Sequence, residues 1–206
     1  MSFLGVKHFL NGENMTFLMK LILLLMLLIA IILIIYCENN FLEKTRYIYK
    51  SKKIPKSFDG FKIIQISDLH DKTFGRDNKN LIRIIDDENP DIIVVTGDIY
   101  YYYNGKIENS LNFLQNISKT HKVYLVTGNH EYKDKNWETH RKIIEGFGIK
   151  IIDNMVDIIR NDYEEIYIYG LKDPAFYHKS LRYSIFEEEL DKMKKSMNDE
   201  KFGILL

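Results

Sequence analysis

Residues 60–70 read GFKIIQISDLH, an apolar, β-branched run that leads into Asp68 and His70. Two further runs of the same kind follow, and they lead into Gly97-Asp98 and Gly128-Asn129-His130-Glu131. The three motifs are separated by 30 and 31 residues, counted from Asp68 to Asp98 and from Asp98 to Asn129. This spacing is typical of a strand followed by a helix, so it predicts parallel strands that deliver polar side chains to one sheet edge.

The periodicity of apolar residues predicts the remaining elements of this α/β fold. We predict strands at 61–66, 91–96, 123–127 and 149–152, with helices at 77–88, 107–118 and 136–147. Alternation of this kind predicts a parallel sheet flanked by helices and joined by right-handed crossovers. After residue 154 we expect part of a second sheet: a hairpin at 155–160 and 166–169, a helix at 184–197 and a strand at 202–206.

An apolar segment near the N-terminus predicts a transmembrane helix at residues 17–36. Residues 21–36 contain no charged side chain, and residues 17–19 extend the run to about 20 residues, enough to cross roughly 30 Å of hydrocarbon. A cleaved signal peptide is the alternative, but residues 34–36 (Ile-Ile-Tyr) are not the small residues that such cleavage prefers. A lipid-modified Cys37 is disfavoured for the same reason. We therefore predict a single-pass, uncleaved anchor.

The domain organisation follows from this segment. We predict an N-terminal tail at 1–16, the transmembrane helix at 17–36, a linker with a possible edge strand (46–50) at 37–60, and an α/β domain at 61–206 that is incomplete at its C-terminus. Six cationic residues follow the uncharged run at 21–36, whereas Lys7 and Lys20 precede it. By the positive-inside rule this puts the domain in the cytoplasm. Because Met15 or Met19 is a possible start, the side of the membrane stays open.

The net charge and the cysteine count bear on nucleic-acid binding and on cysteine-based sites. Lys+Arg and Asp+Glu number 29 each, so charge gives no support for nucleic-acid binding. The single cysteine, Cys37, excludes a disulfide framework and a cysteine-based zinc site.

The three motifs supply the side chains of a metal site. Asp68 and His70 offer oxygen and nitrogen ligands that suit Mn, Fe or Zn ions. Asp98 has two carboxylate oxygens and can bridge two ions, while Asn129 offers a neutral carbonyl oxygen. His130 is placed to act on a substrate oxygen. Each aspartate alone is also typical of a helix cap or turn, and only the repeated order and spacing favour the metal site.

In this order the motifs resemble the first three signature blocks of the calcineurin-like metallophosphoesterases, over residues 61–206. The lead-in at 60–70 behind an anchor, and GLKDP at 170–174, are similar to the membrane-associated bacterial branch. The resemblance implies a metallophosphoesterase-type α/β sandwich and hydrolysis of a phosphate mono- or diester by two divalent transition-metal ions. Substrates in the family include phosphomonoesters, phosphodiesters, nucleotides and lipid-linked phosphates.

The resemblance also implies a role for each matched residue. Asp68 and His70 would bind the first metal, Asp98 would bridge both metals, and Asn129 would bind the second. His130 would be the catalytic acid, which protonates the leaving oxygen or stabilises the transferring phosphoryl group. Glu131, beside them, would only support the site.

The sequence departs from the family in its histidines. The family has a further His after a later strand and then a Gly-His-x-His motif, which complete both metals, and this sequence contains neither. None of His8, His121, His140 and His178 matches these positions; we expect a surface or packing role for His140. We therefore expect a C-terminally truncated form, part of a gene or a decayed copy, with a weak or empty second site and little or no activity. The alternatives are a non-catalytic membrane-anchored remnant and a site completed by another chain.

A run of four tyrosines, residues 100–103, follows the bridging Asp98. These side chains either line the substrate pocket and stack on an apolar or aromatic leaving group, or they form an exposed loop without such a role. The sequence leaves both open.

Overall fold

The computed structural model describes residues 12–104, 107–196 and 201–206. The chain divides into two compact units, one that ends at Thr45 and one that runs from Arg46 to Leu206. The first unit contains helix α1 (Gly12–Asn40), whose described side chains are all exposed. Its part Met15–Asn40, 26 residues long, is apolar enough to cross a membrane, a property that a signal sequence shares. Residues 1–11 of the predicted tail lie outside the described residues, and α1 begins five residues before the predicted helix.

The second unit alternates strands and helices in its first half, as predicted. The strands are β1 (Ile63–Ile66), β2 (Ile92–Thr96), β3 (Val123–Val126) and β4 (Lys150–Ile151). The helices are α2 (Lys79–Glu88), α3 (Glu108–Ser118), the short α4 (Asn129–Lys133) and α5 (Trp137–Gly146). The strands form one parallel sheet in the order β1-β2-β3-β4, which confirms the predicted α/β class.

The second half forms a three-stranded sheet. It contains β5 (Met155–Asn161), β6 (Glu164–Gly170) and β7 (Gly203–Leu205), with helix α6 (Arg182–Ser196) between the last two strands. Strands β5 and β6 form the predicted antiparallel hairpin, and β7 pairs with β6 in parallel. The predicted helix 184–197 is confirmed as far as residue 196, beyond which the described residues resume at 201.

The central strands β2 and β3 are buried on both faces, which explains why they are apolar without alternation. In β2, Ile93 and Val95 pack into the cluster shared with the helices. Ile92 and Val94, on the opposite face, pack into a second cluster with residues of the three-stranded sheet, such as Ile168. The unit therefore has three layers, and the carboxyl edge of the parallel sheet is left for the motif loops.

The predicted edge strand at 46–50 is wrong, because these residues form no strand. Tyr47, Ile48 and Tyr49 are 89%, 80% and 72% exposed, so the alternating pattern has no buried face to stabilise a strand. The segment is instead held by single contacts. Arg46 donates to Glu88 at 2.8 Å, and the rings of Tyr49 and Phe202 lie 5.8 Å apart.

We predict that the layers unfold together. Ile168 is fully buried between the sheets, so Ile168→Ala should lower the free energy of unfolding by about 2–5 kcal/mol through lost burial and a residual cavity. Val156→Ala, at a 46% exposed position of the same hairpin, should cost less than about 1 kcal/mol. Urea unfolding of the full chain in detergent, followed by the fluorescence of the single, buried Trp137 on the helix side, measures both. An unchanged midpoint for Ile168→Ala would show that the second sheet is not part of the cooperative unit.

Candidate metal centre

The loops that follow β1 and β2 run side by side at the carboxyl edge of the sheet. The N–H groups of Asp68 and His70 donate to the carbonyls of Gly97 and Asp98, at 3.3 and 3.0 Å. These bonds continue the pairing of β1 with β2 beyond the strands. The first two motifs are therefore held together by backbone before any side chain contributes.

Two glycines allow the loops after β2 and β3 to approach each other. A Cβ atom on Gly97 would lie 2.8 Å from the Cα atom of Gly128, and Gly97 has a φ of +84°. A Cβ atom on Gly128 would lie 2.4 Å from Oδ1 of Asp98. Because neither space admits a side chain, the glycines in Gly97-Asp98 and Gly128-Asn129 are required by contact between the two loops.

Three of the predicted site residues meet in one cluster. The nearest ligand atoms of His70, Asp98 and His130 all lie within 4.8 Å of one another. The rings of His70 and His130 are 4.7 Å apart and nearly perpendicular. The Nδ1 atoms of both histidines are buried and have no hydrogen-bond partner among the described residues. An unpaired ring nitrogen beside a carboxylate can offer its lone pair to a divalent metal ion or exchange a proton with a substrate. The cluster therefore fits both a metal ligand and a catalytic histidine.

The Asp98 carboxylate is oriented by the start of α4. His130 N–H donates to Oδ1 at 2.8 Å, and the Asn129 side-chain amide donates to Oδ2 at 2.9 Å. The Asn129 carbonyl oxygen accepts from Lys133 at 2.9 Å. A carboxylate oxygen carries two lone pairs, so both oxygens of Asp98 still have capacity for a metal. The structure thus places Asn129 beside Asp98, with its amide nitrogen on that carboxylate and its carbonyl oxygen on Lys133.

Asp68 is the least enclosed of the predicted ligands. Its side chain is 63% exposed, and its Oδ1 lies 3.5 Å from Nε2 of His70. Its other oxygen accepts from the Ser67 hydroxyl. The structure therefore brings Asp68 next to His70 without including it in the three-residue cluster.

Backbone strain marks the same residues. Asp68, His70 and Asp98 have φ values of 53°, 50° and 51°, a left-handed conformation that non-glycine residues rarely adopt. Such conformations cost of order 1–3 kcal/mol each and tend to occur at functional sites. Here they coincide with three of the residues that the motifs predict for the site.

Glu131 connects the second and third loops. Its carboxylate is 1% exposed and accepts N–H groups from Asp98, Ile99 and Gly128 at 2.8–3.0 Å. Burial raises the pKa of Glu131 to about 7, against the opposing effect of these three donors. All its oxygens are directed at backbone, so Glu131 supports the positions of Asp98 and His130 and stays out of the ligand cluster.

His130 lies at the interface between the cluster and the tyrosine run. Burial lowers the pKa of its imidazole, while the neighbouring Asp98 carboxylate acts in the opposite direction. The ring centroids of Tyr101 and Tyr102 lie 5.0 and 5.3 Å from that of His130. His130 is therefore flanked by potential metal ligands on one side and by aromatic rings on another.

Tyr100 behaves differently from the tyrosines that follow it. It is fully buried, and its hydroxyl donates to Asp134 at 2.8 Å. The same carboxylate oxygen lies 2.6 Å from Nδ1 of His140. Burial, and then this hydrogen bond, raise the pKa of Tyr100. Asp134 was not predicted from the sequence. It lies three residues before α5 and accepts from Asn136 N–H at 2.9 Å, the local turn contact that aspartate favours.

Two other histidines have separate partners. His121, at the opposite end of β3, lies 2.9 Å from Asp86. His178 is exposed and hydrogen-bonds Ser180 at 2.8 Å. Among the described residues, the cluster of His, Cys, Asp or Glu that fits a metal ion includes neither of them.

Residues 61–201 match the family model of the calcineurin-like phosphoesterases. The chain belongs to this family. The family is metal-dependent and its members are hydrolases. The match confirms the fold expected from the motifs, and the cluster of His70, Asp98 and His130 could hold a metal ion.

Curated relatives agree with the family. The chain is 31% identical over 127 residues to the metallophosphoesterase YkuE of Bacillus subtilis, which covers 58% of this chain and 43% of that protein. A metallophosphoesterase of Aquifex aeolicus is 28% identical over 180 residues, with 83% and 63% covered. The UDP-2,3-diacylglucosamine pyrophosphatase LpxG of Chlamydia muridarum is 32% identical over 102 residues, with 47% and 30% covered. The chain thus spans less than two thirds of the length of each of these relatives.

We predict that the Asp134 carboxylate, which contacts Tyr100, Asn136 and His140, stabilises the fold in a pH-dependent way. Burial alone would raise its pKa, but bonds from Asn136, Tyr100 and His140 hold the pKa below the ordinary value of 3.8. Its stabilisation is therefore complete above the unfolded pKa and is lost as the pH falls through the folded pKa. Asp134→Asn should cost about 1–2 kcal/mol at pH 7, and its free energy of unfolding should depend less on pH between about 5 and 3.

Urea unfolding at several pH values measures this effect. Asp162→Asn is the matched control, because Asp162 is an exposed residue with a φ of 52°, which asparagine also tolerates. A parent and an Asp134→Asn variant with equal slopes of stability against pH would contradict the prediction.

Proposed function

We propose that this chain is a membrane-anchored metallophosphoesterase that hydrolyses a phosphate mono- or diester at the carboxyl edge of its parallel sheet. The observation that carries the proposal is the cluster of His70, Asp98 and His130, with two buried and unpaired ring nitrogens. Family membership supplies the reaction class. The geometry supplies a place where a phosphate could meet a metal ion and an imidazole together.

The proposed roles follow the motifs. Asp68 and His70 would hold the first of two divalent ions (Mn, Fe or Zn), Asp98 would be shared by both, and Asn129 would serve the second. When bound, such ions polarise the phosphoryl group and make water a better nucleophile. His130 is the catalytic acid: its backbone N–H is fixed on Asp98, so its ring is held in place to give a proton to the leaving oxygen.

The two metal positions are unequal. The first has a carboxylate and an imidazole of its own besides Asp98, whereas the second has only the neutral amide of Asn129 and a share in Asp98. The further histidines of the family pattern are not in this sequence. We therefore propose a weak second site and low turnover for the 206 residues. The same inequality favours a second candidate function, a non-catalytic anchored domain that binds one metal ion without hydrolysis.

Metal binding and turnover separate these roles. We expect the full chain in detergent to bind about one Mn²⁺ tightly, with a six-line EPR spectrum of uncoupled Mn²⁺, and to hydrolyse bis(p-nitrophenyl) phosphate slowly. His70→Ala and Asp98→Asn should weaken Mn²⁺ binding by more than about tenfold. His130→Ala should lower kcat by about 10²-fold or more and should weaken Mn²⁺ binding less than His70→Ala does, because His130 is the proposed acid and not one of the proposed ligands.

His178→Ala is the matched control, since His178 is an exposed histidine outside the cluster. Mn²⁺ binding with no hydrolysis above the rate of His130→Ala would favour the non-catalytic domain. Equal Mn²⁺ affinity in the parent and in His70→Ala would contradict the proposed metal centre.

We further propose that α1 is an uncleaved anchor. Its apolar part is 26 residues long and exposed along its whole length. Exposure of so many apolar side chains is unfavourable in water and favourable in the hydrocarbon of a membrane. LpxG is a UDP-2,3-diacylglucosamine pyrophosphatase, so its substrate carries acyl chains. An anchor would keep this domain near substrates of that kind.

The prediction for the anchor is direct. The protein should remain in the membrane pellet after alkaline carbonate extraction, and its intact mass should include residues 1–40. Leu27→Lys should release much of the protein, because a cation at the centre of a span costs about 2.5–3.5 kcal/mol on insertion scales. Leu181→Lys, at an exposed leucine outside the helix, is the control. A mature chain that begins after residue 36 would show a cleaved signal sequence instead.

A further inference from the structure

Three consecutive tyrosine rings surround the ring of His130. The centroids of Tyr101, Tyr102 and Tyr103 lie 5.0, 5.3 and 6.4 Å from that of the imidazole. The tyrosines also contact one another, with centroids 5.1 Å apart for Tyr101 and Tyr103 and 3.8 Å apart for Tyr102 and Tyr103. We call these three side chains the tyrosine platform.

We propose that the tyrosine platform binds a leaving group that carries a planar aromatic ring, either a nucleobase or an aryl group. This inference rests on the proposed function, in which His130 protonates the leaving oxygen. The atom that receives this proton must lie within hydrogen-bond reach of the imidazole. The rest of the leaving group then lies near the side of His130 that the potential metal ligands do not occupy. The side chains on that side are the platform.

The platform is open on its outer side. Tyr100 is fully buried, Tyr101 and Tyr102 are half-buried, and Tyr103 is 65% exposed. This gradient argues against a loop that is merely solvated, because two of the three rings are partly covered. A planar group that stacks there would extend an aromatic arrangement that already exists.

The charges around the platform favour a phosphate ester at its edge. Lys133 Nζ lies 5.3 Å from the ring centroid of Tyr102 and donates to Asn129 at 2.9 Å, so a cation stands between the platform and the metal centre.

Stacking distinguishes a ring from an alkyl group. An alkyl leaving group gains only from the area that it buries, whereas stacking of a base on an aromatic side chain contributes about 1–3 kcal/mol, or about 5–150-fold in affinity. The platform should thus act on the choice of leaving group and leave the affinity for the phosphate itself unchanged.

Paired phosphonates test this inference, because they bind without being hydrolysed. The full chain with Mn²⁺ is titrated calorimetrically with phenylphosphonate and methylphosphonate, and the ratio of the two Kd values is compared among variants. We expect a preference for phenylphosphonate on the order of tenfold in the parent. Tyr103→Leu should reduce it to about twofold or less, and Tyr103→Phe, which keeps the ring, should retain it.

Tyr163→Leu, at a fully exposed tyrosine of the hairpin turn, should also retain the preference. A ratio of Kd values near one in the parent, or an equal ratio in the parent and in Tyr103→Leu, would overturn the proposed role of the platform. Binding of methylphosphonate in the same titrations would leave the proposed function intact. If neither phosphonate binds, the proposed function fails and this inference with it. The Kd values of UMP and ribose 5-phosphate then distinguish a nucleobase from an aryl group, with hydrolysis followed in parallel. At C1 of the ribose, UMP carries uracil and ribose 5-phosphate a hydroxyl, so tighter binding of UMP would indicate a nucleobase.

Discussion

The arrangement of the site depends on one buried carboxylate. Glu131 accepts N–H groups from Asp98, Ile99 and Gly128, which belong to the loops after two different strands. A carboxylate that is 1% exposed is costly unless its lone pairs are occupied. Because three backbone donors occupy them, this cost is offset only when both loops hold their positions. The same contact therefore fixes the geometry of Asp98 and His130.

Close packing of the loops then leaves little freedom elsewhere at the edge. Asp98 sits in a left-handed conformation between two glycines, and its oxygens accept from His130 N–H and the Asn129 amide. An aspartate in this position cannot relax without breaking these bonds. Rigid placement of this kind is what a metal centre requires, since misplacement of a ligand by a fraction of an ångström weakens it.

The sequence was informative wherever a local pattern was also a global one. Apolar runs that end in Asp68, Asp98 and Asn129 predicted the parallel strands and the edge at which these residues meet, because strand burial and motif spacing pointed to the same fold. The edge strand at 46–50 failed because alternation predicts a strand only when one face finds a core, which requires knowledge of the neighbours. The inward turn of Tyr100 onto Asp134 and the short helix α4 depend on contacts across 34 residues or on loop geometry, and no periodicity records them.

The distribution of negative charge limits what the centre can hold. Among the described residues of the centre, Asp98 is the buried carboxylate that faces the cluster, since Glu131 directs both oxygens at backbone and Asp68 is largely exposed. In the proposed assignment, a divalent ion beside His70 would draw on Asp68 and Asp98 together. A second ion beside Asn129 would share Asp98 and would gain no charge from the amide. The repulsion between two such ions is offset mainly by shared anionic ligands. The asymmetry of the site thus follows from the placement of Asp98 and Glu131, because the buried carboxylate that could have supplied further charge is already committed to holding the loops.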